Sequence, residues 1–209
     1  MRVYVGQTRS RRLIGELAAL GFGECFTRSE SIWPPRRHPW FLDNGAFGDW
    51  KHGRAFDAAA FESSLISASA HPQPADFVVA PDRVAGGLES LEFSLRSLDT
   101  YAPTFPALRW YLVLQDGMTP ADVAPALPRF SGVFVGGTLE WKIQTGAQWV
   151  EFGAVHNRPV HIGRVGTAKR VRWARRIGAS SIDSALPLWS ADKLRTFVAA
   201  LECRQMELL

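Results

Sequence analysis

The chain has 209 residues, of which 46% are hydrophobic and 21% charged, with a formal net charge of +4; one globular domain with a sizeable buried core is the simplest reading. Its two cysteines, Cys25 and Cys203, lie far apart, and its five histidines show no metal-ligand spacing, which argues against a disulfide scaffold, a structural zinc or any other bound metal. No apolar run approaches the ~20 residues of a membrane helix and the N-terminus lacks a secretory apolar region, so a cytoplasmic protein with no membrane partner is expected.

Arg2-Val3-Tyr4-Val5-Gly6 reads as a short first strand. Ser10 then caps a helix whose Leu13, Leu17 and Leu20 share one face, and Gly21 stops it. Glu24 to Thr27 is a weak second strand, and residues 28–39, with Pro34, Pro35 and Pro39, form a stiff basic loop. The apolar run Trp40-Phe41-Leu42 ends on Asp43, and Asn44-Gly45 follows at once, a pair that permits a tight backbone path. Asp57 caps a helix through Phe61, Leu65 and Ala68 that ends in the proline-containing run 71–74. A strand over 76–81 leads to Asp82, and Leu88, Leu91, Leu95 and Leu98 mark the next helix face. Strand 110–115 ends at Gln115, after which Thr119-Pro120 opens a further helix. Strand 132–135 precedes Gly136-Gly137 and a helix within 140–155. Strand 159–163 is followed by a helix from near Thr167 to Gly178. Strand 180–183, carrying Asp183, leads to a last helix capped by Ser190.

Strands alternating with helices mean parallel pairing through helical crossovers. The expected fold class is α/β, a compact (β/α)8 TIM-type barrel formed by 1–209 as a single domain, with an open doubly wound sheet as the alternative. In a barrel the carboxyl ends of all strands meet on one face, which would bring Asp43, Asp82, Gln115, Gly136, Gly137 and Asp183 together. Three carboxylates and an amide, with glycines and no metal ligands, suit a polar heterocycle or a sugar as substrate. A guanine-like base offers adjacent N–H donors to a carboxylate and a carbonyl oxygen to an amide or backbone N–H. Two further carboxylates suit the breaking of a glycosidic bond, one attacking or stabilising the sugar and the other moving the proton.

In order, these strand tips resemble those of the tRNA-guanine transglycosylase superfamily, enzymes that exchange guanine for a 7-deazaguanine within a polynucleotide. Asp43-Asn44-Gly45-Ala46-Phe47 is similar to the family's DSGGFQ segment, whose carboxylate serves as general acid and base. Asp82 matches the strand-end Asp that binds the guanine edge, and Leu114-Gln115-Asp116-Gly117 resembles the VQGG segment with its base-binding Gln. Val135-Gly136-Gly137 looks like the VGG loop whose backbone contacts the base. Gly163-Arg164-Val165-Gly166-Thr167, the helix behind it and Ser181-Ile182-Asp183 resemble the GVG segment, helix and strand that deliver the nucleophilic Asp. The similarity spans about residues 40–185. It implies Asp183 as nucleophile and Asp43 as proton carrier. Asn44, Gly45, Asp82, Gln115, Gly136 and Gly137 would surround the base, and no cofactor is implied.

The departures carry information too. Asn44 and Ala46 stand where the family has Ser and Gly, Gly48 where it has Gln, and Asp116 replaces a glycine of the Gln motif. The family's Cys-x-Cys-x-x-Cys…His zinc segment, which supports RNA docking, has no counterpart in the sequence. The resemblance therefore points to the small zinc-free branch that inserts 7-deazaguanines into DNA, with tRNA the lesser expectation. Arginine clusters at Arg9, Arg11 and Arg12, at Arg36 and Arg37, and at Lys169, Arg170, Arg172, Arg175 and Arg176 fit an anionic partner. Arg164, Lys169, Arg170 and Arg172 are the expected backbone-binding residues. A homodimer or a partner protein stays open, as do two other functions. One is a barrel enzyme for a small phosphorylated metabolite, held at the loop Gly163–Thr167. The other is a non-catalytic nucleic-acid-binding subunit.

Overall fold

Alternating apolar strands and capped helices close into an eight-stranded, all-parallel barrel in sequential order. The computed structural model describes residues 1–202, so Cys203 lies outside the described residues. The strands are β1 (Arg2–Gly6), β2 (Gly23–Thr27), β3 (Trp40–Asp43), β4 (Val78–Val79), β5 (Trp110–Leu114), β6 (Gly132–Val135), β7 (Val160–Ile162) and β8 (Ser181–Ser184). Pairing of β1 with β8, Tyr4 opposite Asp183, shuts the ring. The fold is thus the expected α/β barrel and not the open doubly wound sheet. No described helix is long and apolar enough to cross a membrane.

Helices α1 (Arg11–Ala19), α2 (Ala46–Lys51), α3 (Ala58–Ser69), α4 (Gly87–Tyr101), α5 (Pro120–Val123), α6 (Leu139–Val155), α7 (Ala168–Arg176) and α8 (Ala191–Glu202) surround the barrel. Ser10, Asp57, Thr119, Thr138 and Thr167 each accept a hydrogen bond from the backbone N–H three residues on, the arrangement that starts a helix. The crossovers are not uniform. The β2–β3 connection is the loop 28–39 without a helix, whereas α2 and α3 both lie between β3 and β4. Helix α2 was not legible as a helix, because its start is Gly45 in the left-handed region at φ 76° rather than a capping side chain. The expected strand 76–81 contracts to Val78–Val79 in the ladder, although the Asp76 and Ala80 N–H groups still donate to Trp40 and Tyr111 carbonyls. Strand β8 runs one residue further than expected, to Ser184.

The core has two shells. Between barrel and helices pack Leu17, Trp40, Leu42, Phe61, Leu65, Leu112, Trp149 and Phe197, all buried. Inside the barrel sit Tyr4, Phe41, Phe77, Val79, Tyr111, Val113 and Phe134, with Cys25 against them. Side chains alternate across a strand, so each interior residue leads, two positions on, to another that faces the barrel mouth. Phe41 leads to Asp43, Val113 to Gln115, Phe134 to Gly136, His161 to Gly163, and Ser181 to Asp183.

The basic loop 28–39 serves the fold more than the surface. Arg37, expected within a phosphate-attracting cluster, is buried; its Nη2 donates to the Val5 carbonyl at 2.6 Å and the Gly6 carbonyl at 3.1 Å, and its Nη1 lies 3.5 Å from Glu24 Oε2. It donates to carbonyls at the end of β1 and, at 3.4 Å, to the Gly23 carbonyl at the start of β2, which corrects its sequence-based role. Removing one partner of a buried ion pair leaves the other charge unsatisfied. Arg37→Ala is therefore expected to lower unfolding free energy by about 3–5 kcal/mol in a urea titration, whereas Arg36→Ala, at an exposed position, should change it little. Equal small effects would show that the pair contributes nothing.

Candidate active site

The carboxyl ends of β3 and β8 and the loops after β4, β5, β6 and β7 bring Asp43, Asp183, Asp82, Gln115, Gly136 and Arg164 around one pocket, floored by Val79, Val113 and Phe134. Of the six strand-end residues expected to converge, five do so, Asp43, Asp82, Gln115, Gly136 and Asp183; Arg164, expected among the backbone-binding residues, joins them. Gly136 is required there: a Cβ would lie 2.8 Å from Val113 Cγ1 and 3.2 Å from Gln115 Nε2. Gly137, at φ 53°, lines the adjoining cleft instead, and its carbonyl accepts from Arg164 Nη2 at 3.0 Å.

Asp183 is fixed through one oxygen only. Its Oδ1 lies 2.9 Å from His161 Nε2 and accepts from the Arg164 backbone N–H at 3.1 Å. Among the described residues no hydrogen bond reaches Oδ2, which leaves that oxygen for a ligand in the pocket. His161 is fully buried, and its Nδ1 lies 2.9 Å from the Ser181 hydroxyl. Burial pushes the imidazole below its usual pKa, against the opposing pull of Asp183. The ring is therefore neutral at pH 7, with the Nε2 proton donated to the carboxylate and Nδ1 accepting from Ser181. Arg164 holds a left-handed backbone at φ 56° to aim its N–H at Asp183, a strained conformation of the kind that persists where the surroundings over-determine it.

Asp43 meets a different environment. Its Oδ1 accepts from the Gly45 N–H at 2.8 Å. Burial pushes its pKa up to about 7, opposed by that hydrogen bond and helped by the charges of Asp183 and Asp82. A carboxyl group poised there can both give and take a proton at neutral pH. Asp82 is buried deeper and also shifted upward by burial, although it is held by two amides: Asn44 Nδ2 at 2.7 Å from Oδ1 and Gln115 Nε2 at 2.7 Å from Oδ2.

Those bonds refine three sequence assignments. Asn44 does not line the pocket; it donates to Asp82 and to the Ala80 carbonyl and accepts from the Ala46 N–H. Gln115 lines the pocket but spends its amide inside the protein, its Oε1 accepting from the Ala85 N–H at 3.3 Å. Gly45 acts through its N–H on Asp43. Asn44, Gly45 and Gln115 thus orient the carboxylates. Asp116, which replaces a glycine of the resembled motif, accepts from the Thr138 N–H at 2.7 Å and from its hydroxyl, tying the β5 loop to the start of α6.

Lys169 and Arg172 lie outside the pocket, in a groove on α6 and α7 with Thr167, Trp173, Arg176, Leu139 and Ile143; Arg170 reaches both this groove and the adjoining cleft. Two residues that sequence reasoning passed over belong to the site region. His161 sits in the middle of an apolar strand, two places before Gly163, and its inward parity was the available signal. Lys142 lies at i, i+4, i+7 and i+11 with the buried Gly146, Trp149 and Gly153, on the core face of α6. Its Nζ donates to the Gly163 carbonyl at 2.6 Å, and burial, aided by Arg164, lowers its pKa to about 8.

The chain matches no family model and no curated protein.

The charge coupling between Asp43 and Asp183 is directly testable. The folded Asp43 titrates at about 7 against an ordinary 3.8, so the folded state holds a proton that the unfolded chain releases. Its contribution to stability is present at acid pH and is lost as pH rises from about 4 towards 7. Asp183→Asn keeps an oxygen acceptor for His161 but removes a negative neighbour, so the Asp43 midpoint should fall. Carboxyl 13C NMR titration checks this; an unmoved or raised midpoint would refute the coupling.

Proposed function

We propose that the protein exchanges a guanine base for a 7-deazaguanine within a polynucleotide, DNA before tRNA, by the chemistry of the transglycosylases that its motifs resemble. The observation that carries this reading is the division of labour among three carboxylates in one pocket. Asp183 offers one free oxygen beside a neutral His161, Asp43 titrates at about 7, and Asp82 is held by amides. Structural carboxylates would be expected to pair with arginines; these three do not form a close ion pair with any Arg or Lys among the described residues.

In the first half-reaction Asp183 Oδ2 forms a bond to C1′ of the target nucleotide as the C1′–N9 bond breaks. The electron pair of that bond goes to the departing guanine, which takes the proton of Asp43. In the second half the incoming 7-deazaguanine returns a proton to the Asp43 carboxylate. Its nitrogen then bonds to C1′ and releases Asp183. Two displacements at C1′ restore the original configuration, as in retaining glycosidases. One carboxyl group serves both halves because its pKa lies near the working pH. Asp82 accepts the adjacent N–H donors of the guanine edge with the lone pairs that Asn44 and Gln115 leave over. The Asn44 and Gln115 amides fix that carboxylate before the base arrives.

The target nucleotide must leave its stack to reach the pocket, which costs a few kcal/mol and favours unpaired or easily opened sites. Exposed cations on the rim, including Arg164 and Lys169, offset part of this through phosphate contacts.

Radiolabelled guanine incorporation into DNA and tRNA tests the reading. Wild-type protein is expected to incorporate label, Asp183→Asn to lose at least 10³-fold in rate, on the order of a removed nucleophile, and Asp43→Asn to lose about 10²–10⁴-fold as a removed acid–base group. An Asp183→Asn variant exchanging at the wild-type rate would rule out the assignment. Incorporation into tRNA alone would reverse the preference for DNA.

A further inference from the structure

Beside the reaction pocket the loops enclose a second cleft of about 440 Å³, with Arg164 lining both. Its apolar surface includes Phe47 and Trp50, whose ring centroids lie 5.7 Å apart and which are 39% and 54% exposed. Its charge comes from Lys142, Arg164 and Arg170. The Arg164 guanidinium stands 4.1 Å from the Phe47 ring centre. Lys142 is 4% exposed and spends one of its three donors on the Gly163 carbonyl. Among the described residues none of these three cations forms an ion pair. Asp116, the acid that lines the cleft, already holds Thr138 with both oxygens.

Like charges gathered around a half-buried cleft oppose one another, and an anion placed between them relieves that cost. Large rings left in water next to fixed cations suit a ligand that pairs a flat apolar face with a phosphate. We propose that this cleft is a nucleotide subsite, in which Trp50 and Phe47 take the face of an unpaired base and Lys142 and Arg170 hold its phosphate. Past Arg170 the cleft continues into the groove of Lys169, Arg172 and Arg176, with Leu139 common to both. That continuity favours a nucleotide within a strand over a free one: the neighbour of the nucleotide whose base is exchanged. The strand assignment rests on the proposed exchange reaction, whereas the nucleotide subsite stands on the residues of the cleft.

Calorimetric titration of the Asp183→Asn protein tests it without turnover. Thymidine 5′-monophosphate is the probe, because a pyrimidine lacks the guanine edge that Asp82 would select. It is expected to bind more tightly than either thymidine or inorganic phosphate. Trp50→Ala should weaken the nucleotide about tenfold, the order of one lost base stack, and leave phosphate unchanged. Arg170→Ala should weaken nucleotide and phosphate but not thymidine. Both positions are at least partly exposed, so neither change threatens folding. Unchanged nucleotide affinity in both variants, or a nucleotide no tighter than phosphate, would overturn the subsite. A thymidine pentanucleotide separates the two sources. It should bind more tightly than the mononucleotide, with a log–log salt slope that Arg172→Ala flattens by about one unit. Equal affinities would overturn the strand and leave a free nucleotide as the ligand. Binding with no base exchange by the wild-type protein would sink the exchange reading alone.

Discussion

Everything at the mouth of this barrel depends on the aromatic packing beneath it. Phe41 stacks on Phe77 at 4.5 Å and 11°, Phe77 on Tyr111 at 3.9 Å and 10°, and His161 on Phe134 at 4.6 Å. Tyr4 meets Phe41 and Phe77 edge-on, and its hydroxyl donates to Asp76. Rings of this size fill the interior of a small barrel, so the carboxylates rest on a dry, polarisable floor instead of a water column. That floor is the common cause of the shifts above it. It raises Asp43 and Asp82 and lowers His161 through the same penalty on charge.

Against this shared background, individual hydrogen bonds set the carboxylates apart. Asp183 gains a neutral imidazole and a backbone N–H on one oxygen, Asp82 gains an amide on each oxygen, and Asp43 gains one backbone N–H. At both Asp82 and Asp43 desolvation outweighs the donors to the ionised form, and Asp43, with a single backbone N–H, is pushed up to about 7. The chemistry proposed for each group follows from this gradient. Cations that elsewhere would quench such groups are directed to the neighbouring cleft, with Arg164 reaching Asp183 through its backbone while its guanidinium turns to Gly137 and Phe47.

Much of the barrel was legible in the sequence because capping residues and apolar runs announce their own ends. Thr119-Pro120 and Ser10 mark helix starts through local hydrogen bonds, and no tertiary context is needed to see them. The Asp43, Asp82 and Asp183 positions were legible as the polar ends of apolar runs. Inward parity was harder to read, since strands buried on both faces show continuous apolar sequence in place of alternation. For that reason His161 passed as one more core residue. Lys142 was lost within a helix whose buried face becomes evident only when the barrel is assembled. Helix α2 was invisible because a left-handed glycine, with no side-chain oxygen, begins it. The role of Arg37 misled in the opposite direction: a basic loop reads as surface until Arg37 is seen buried and donating to carbonyls of β1 and to Gly23 at the start of β2.

The central claim is that Asp183 is the group that becomes covalently bound to the sugar. Protein incubated with a guanine-containing oligonucleotide, without an incoming base, is denatured, digested and mapped by mass spectrometry. A nucleotide adduct on the Ser181–Ser184 segment, absent from Asp183→Asn, is the result the account predicts. Base exchange proceeding with the adduct on another residue, or with none formed at all, would contradict it.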